Sequence, residues 1–111
     1  MIDSKTLWAI SERLKTAKNN QADFGGMKLV LCGDPRQLPP VGGKKLWAPI
    51  HKKDSPPTVA GLLLYSNFRT VCELTVNQRQ GENSYFGNLC NRIAEGQMTE
   101  SDYNNLSSIN R

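Results

Sequence analysis

Residues 27 to 34 read MKLVLCGD, an apolar run interrupted only by Lys28 and stopped by Gly-Asp. Met27, Leu29, Val30, Leu31 and Cys32 show no polar alternation. Such a run predicts a strand buried on both faces, as in the parallel sheet of an α/β protein. A second strand candidate, VCELT at 71–75, supplies Val71, Cys72 and Leu74. Two strands of a parallel sheet cannot close a core by themselves. The pattern therefore points to a piece of a larger domain.

Helical segments flank these runs. Asp3 or Ser4 is placed to cap a first helix, with Leu7, Ile10, Leu14 and Ala17 at helical spacing and Asn19 and Asn20 at its end. QADFGG then predicts a turn in which Gly25 and Gly26 take positive φ. Residues 34–60 are rich in Pro, Gly and Lys and predict a long irregular loop. GLLLYSNF, 61–68, predicts a short helix or turn. SYFGNLCNRIAEG predicts an amphipathic helix built on Phe86, Leu89, Ile93 and Ala94 and stopped by Gly96. Thr99 is expected to cap a last helix, with Glu100 and Asp102 in its first turn.

At 111 residues the chain has room for one small domain, and its 38% hydrophobic content is low for one that closes its own core. A net charge of +4 permits a nucleic-acid partner without requiring one. Cys32, Cys72 and Cys90 form no CxxC pair, which argues against a zinc ribbon or a thioredoxin-type site. Cys32 and Cys72 sit in strand-like runs and are expected to act as small hydrophobes in a reduced, intracellular protein. His51, the single histidine, has no companion for metal binding. No apolar run nears the roughly 20 residues of a membrane span, and no signal peptide is visible. The expectation is a soluble chain.

In an open parallel sheet, ligands bind beyond the carboxyl ends of the strands. Gly33-Asp34-Pro35-Arg36-Gln37 lies at such an end. Asp34 is a rim carboxylate suited to a hydrogen-bond network or to a metal-bound water. Gln37 carries a donor and an acceptor and can contact a phosphate oxygen without adding fixed charge. Pro39 and Pro40 stiffen the chain beyond Gln37. The plain alternative is a Gly-Asp-Pro turn ended by prolines. Arg79, in Asn77-Gln78-Arg79-Gln80, could make a bidentate contact to a γ-phosphate; the plain alternative is a surface arginine.

Taken together, these segments resemble one family. GDPRQLPPV, 33–41, resembles motif III of the superfamily 1B DNA helicases, the PIF-type and RecD-type motors. LTVNQRQ, 74–80, resembles their motif IV region, and SYFGNLCNRIAEGQMTESDYNNL resembles the helical segment after that motif. MIDSKTLWAISERL resembles the helix after the Walker B strand. The resemblance implies a partial RecA-like P-loop NTPase domain, a parallel sheet fragment flanked by helices. Residues 1–111 would be the C-terminal part of the first motor domain, with helices over 82–108.

It implies that Gln37 senses the γ-phosphate, that Arg79 touches it, and that Gly33 and Asp34 shape the strand end. Leu38, Pro39, Pro40 and Val41 would link the nucleotide site to the DNA-binding face. It further implies ATP and Mg²⁺ as cofactors of the intact protein, single-stranded and duplex DNA as partners, no membrane association, and 5′-to-3′ unwinding in repair, recombination or telomere maintenance. A eukaryotic member would be nuclear.

The chain contains no GxxxxGK[ST] loop and no Walker B Asp-Glu pair. Alone it is expected to be inactive as an ATPase. Two other readings stay open: a non-enzymatic basic module that binds nucleic acid or protein, and a relic of a mobile-element helicase. Lys44, Lys45, Lys52 and Lys53 could lie near nucleic acid, but few aromatics are expected to be exposed beside them, so no stacking platform is evident.

Overall fold

The computed structural model describes residues 1–75 and 84–109. They form four helices: α1 (Ser4–Lys18), α2 (Pro56–Ser66), α3 (Tyr85–Ala94) and α4 (Glu100–Ile109), with a tight turn at Asp23–Gly26. Two compact units divide the chain, Met1–Val71 and Cys72–Arg111.

In the first unit α1 begins as the sequence predicts. The Asp3 carboxylate accepts the Thr6 N–H at 2.8 Å, which satisfies an orphan donor of the first turn. Asn19 ends the helix at φ 47°. The Asn20 N–H returns to Lys15 O at 3.0 Å and the Asn19 N–H to Thr16 O at 3.2 Å, the Schellman pattern. Lys15 and Lys18 stand in the last turn, where they favour the helix dipole.

One face of α1 is buried through Ser4, Leu7 and Ser11. Leu7 joins Phe24, Leu46 and Leu64 in a core, with Trp8, Ile10, Leu14, Leu29, Leu31, Tyr65 and Phe68 packed around it. Ala17, the last of the expected stripe, is exposed. The turn over Asp23–Gly26 is locked to α1 by the buried Ser11 Oγ, which accepts the Phe24 N–H at 3.0 Å. Gly25 at φ 65° lies so close to α1 that a Cβ would meet the Leu14 carbonyl.

α2 starts at Pro56, five residues before the apolar stretch from which the sequence predicts it. Its two prolines occupy the first helical positions, where a missing N–H costs nothing and φ is already set. α1 and α2 come close at Gly61. A Cβ there would run into the Ser4 carbonyl. Ser4 is itself fully buried, and its Oγ finds no hydrogen-bond partner.

The expected parallel sheet is absent. The described residues contain no strand, and the architecture is helical rather than a RecA-like α/β fragment. Residues 27–32 belong to no ladder. Leu29 and Leu31 lean on the core while Val30 is 84% exposed, so this run is buried on one side only. VCELT also joins no ladder, with Val71 and Leu74 in solvent. Apolar content made both runs want burial, but an extended segment becomes a strand only when a neighbour takes its backbone hydrogen bonds. The cysteines are free, but Cys32 and Cys72 are exposed rather than packed as small hydrophobes, and Cys90 is exposed as well.

The second unit pairs α3 with α4. Ser84 caps α3 by accepting the Gly87 N–H at 3.0 Å. Gly96 at φ 70° turns the chain out of it, and the Gln97 N–H returns to Arg92 O at 2.7 Å. Of the expected apolar face only Leu89 is buried; Phe86, Ile93 and Ala94 are exposed. Thr99 does cap α4: its Oγ1 accepts the Asp102 N–H at 3.2 Å, and Asp102 Oδ2 accepts the Thr99 N–H at 3.1 Å. This reciprocal arrangement is a capping box with Asp in place of Glu.

Candidate functional site

Gly33-Asp34-Pro35-Arg36-Gln37 folds as a closed turn. Asp34 Oδ1 accepts the Arg36 N–H at 2.9 Å, and Asp34 O accepts the Gln37 N–H at 3.1 Å. An aspartate that bonds its own backbone two residues on fixes the turn, and Pro35 presets its φ. The Arg36 Nε stands 3.5 Å from the same Oδ1. Both side chains are well solvated, so this pair adds little stability. Asp34 is thus occupied as the organiser of the turn.

Gln37 emerges exposed from that turn, and Leu38 beyond it is 87% exposed. Pro40 is buried. Gly33 has no positive φ and open space around it. The structure therefore brings Gly33, Asp34 and Gln37 together through local chain geometry. Arg79 lies outside the described residues.

The second unit holds a cluster that sequence reasoning missed. Asp102 is 2% exposed. It receives the Arg92 guanidinium through Nε at 2.8 Å and through Nη2, and Tyr85 Oη donates to it at 3.4 Å. Asn105 Nδ2 donates to Tyr85 Oη at 2.7 Å. The Arg92 guanidinium, then the Thr99 N–H, hold the Asp102 carboxyl far below the usual carboxylate range. The cluster clamps α3 to α4. Its visible signal is the Thr-x-x-Asp spacing at 99–102, which in sequence reads only as a helix start.

In the first unit Lys44 pairs with Asp54, which also accepts the His51 N–H at 2.7 Å. The Lys44 ammonium and then that N–H lower the Asp54 pKa. Among the described residues no group of His, Cys, Asp and Glu gathers in a way that could hold a metal ion. No helix of the described residues is long and apolar enough to cross a membrane.

The turn geometry is compatible with many loops, and comparison with known proteins separates them. A family profile described as PIF1-like helicase matches residues 1–104. The chain belongs to the PIF1-like helicase family. Over 41 residues it is 46% identical to the ATP-dependent DNA helicase PIF1 of Candida albicans (strain SC5314 / ATCC MYA-2876), a match covering 37% of this chain and 4% of that protein. The matched segment is thus a small part of that relative's length. No solved structure matches the chain.

Proposed function

We propose that this chain is the back part of the first motor domain of an ATP-dependent DNA helicase. Residues 33–41 serve as motif III, 74–80 as the motif IV region, and 82–108 as the helices beyond it. The intact motor moves 5′ to 3′ on single-stranded DNA and separates duplex DNA in repair, recombination or telomere maintenance, and in a eukaryotic cell it would do so in the nucleus. The observation that carries the reading is an exposed Gln37 on a turn made rigid by Asp34, within a chain of the PIF1-like family.

Gln37 is the γ-phosphate sensor and Arg79 the second phosphate contact. An exposed neutral amide on a fixed turn fits a phosphate oxygen. The chain has no GxxxxGK[ST] loop and no described acidic cluster for Mg²⁺. Its own residues do not form a complete site for ATP and Mg²⁺, so no hydrolytic step is assigned to them, and the isolated chain is inactive.

The test is ATP turnover by a longer PIF1-type protein that carries this segment. Gln37→Ala and Arg79→Ala should each reduce kcat by roughly 100-fold or more, the scale of losing one preorganised charge-stabilising contact. Circular dichroism should be unchanged. Turnover that survives Gln37→Ala intact sinks the sensor assignment.

A further inference from the structure

Residues 41–54 form a loop whose path is fixed at three points. At its entry the Ser4 N–H donates to Lys44 O at 3.0 Å. In the middle Leu46 is 8% exposed and belongs to the core with Leu7, Phe24 and Leu64. At the exit Asp54 holds both the Lys44 ammonium and the His51 N–H. The Ala48 N–H closes a turn onto Lys45 O at 3.2 Å. With Leu46 pinned inward, its neighbours Lys45 and Trp47 are left in solvent.

Trp47 is 42% exposed, and Lys45 Nζ stands 5.9 Å from its ring centroid. His51, Lys52 and Lys53 are exposed along the same loop. No Asp or Glu occurs between Val41 and Lys53. The first one after them, Asp54, is engaged by Lys44, and no described carboxylate pairs with Lys45, Lys52 or Lys53. The sequence suggests basic residues without an aromatic partner. The structure supplies that partner.

An indole held out of the core beside unpaired ammonium groups matches the needs of a single nucleic-acid strand. Its bases offer open π-faces for stacking, and its phosphates meet the lysines. A duplex keeps its base faces stacked inside and gives the indole nothing to stack on. An acidic peptide would use the lysines and leave the indole without a role.

We propose that loop 41–54 is a single-strand contact, with Trp47 as the stacking surface for one base and Lys45, Lys52 and Lys53 as phosphate contacts. The proposal deepens the motor reading and rests on it only for preferring DNA to RNA. The loop is preorganised, so little ordering entropy is lost on binding.

The experiment is fluorescence anisotropy of a labelled oligothymidylate titrated with the 111-residue chain, without ATP, across a salt series. Trp47→Ala should weaken binding by about tenfold or more while the helical dichroism is kept. Trp47→Phe should restore most of the affinity. Lys52→Ala and Lys53→Ala should each lower the slope of log affinity against log salt by about 0.7. The proposal is overturned if the strand does not bind, if Trp47→Ala binds like the unaltered chain, or if a duplex of equal length binds as well. It is also overturned if polyglutamate competes equally against Trp47→Ala and the unaltered chain. The motor reading is judged separately, by ATP turnover of Gln37→Ala in the longer protein. Trp47-dependent strand binding alongside undiminished turnover in Gln37→Ala would keep this proposal and remove the phosphate sensor.

Discussion

The two compact units are held together by different physics. Residues 1–71 close around Leu7, Phe24, Leu46 and Leu64, with a backbone-to-backbone approach at Gly61 and a single buried hydroxyl clasp at Ser11. In the second unit Leu89 is buried, but α3 and α4 are joined by Arg92, Tyr85, Thr99 and Asn105 gathered around Asp102. The first arrangement draws mainly on area removed from water, with ionised groups at its edge in the Asp3 cap and the Lys44–Asp54 pair. The second depends on one carboxylate staying charged. A sequence can thus build two small units, one by apolar volume and one by charge-assisted hydrogen bonds, and the two respond to different insults.

The largest effect is expected in the apolar unit. Leu7→Ala removes a fully buried side chain from the centre of its cluster and should cost about 2–5 kcal/mol, read by hydrogen exchange of the α1 amides. A cost under about 1 kcal/mol would show that this core is not what holds the unit.

The charged unit is broken by acid. Asp102 titrates below its ordinary value when folded, so its contribution is present at neutral pH. That contribution falls away as pH drops below about 4, the unfolded carboxylate value, toward the folded one. Protection of the α3 and α4 amides should fall over that window, and Asp102→Asn should remove most of the pH dependence. Hydrogen bonds to Asp3 and Asp54 lower their pKa values as well, so acid also loosens α1's cap and the Lys44 loop. The comparison fails if α1 and α2 lose protection at higher pH than α3 and α4.

The smallest and sharpest contrast lies within one helix. Ser4 and Ser11 are both fully buried. Ser11→Ala strands the Phe24 N–H and should destabilise by about 1–3 kcal/mol. Ser4→Ala deletes a hydroxyl that has no partner and should be neutral or stabilising by up to about 1 kcal/mol. Thermal denaturation of the two variants gives opposite signs if the hydrogen-bond assignment is right.

The same distinction explains how much is readable from the residues alone. Asp3, Asn19, Gly96 and Thr99 act within a turn or two of chain, so their roles as helix ends are legible. The start of α2 is not, because Pro56-Pro57 reads as part of a proline-rich loop and acts as a preformed first turn. KLVLC reveals a wish for burial but not whether a neighbouring strand exists, and the expectation of a sheet fails there. Arg92 and Asp102 are ten positions apart across a turn, beyond any helical spacing rule. In the candidate site the Asp34 turn is readable from Gly-Asp-Pro itself. The exposure of Trp47 depends on Leu46 being drawn into a core made by distant residues.

The unpaired apolar run at 27–32 bears on handling the isolated protein. It is largely apolar and lacks proline, its backbone joins no ladder, and Val30 and Cys32 face solvent. Such a segment is a template for strand addition by another copy, and the exposed thiol offers a covalent lock once two copies meet. Lys28 is its only charged gatekeeper. Aggregation at high concentration should therefore begin here, and a second lysine at Val30, with reductant present, is the direct route to a well-behaved solution.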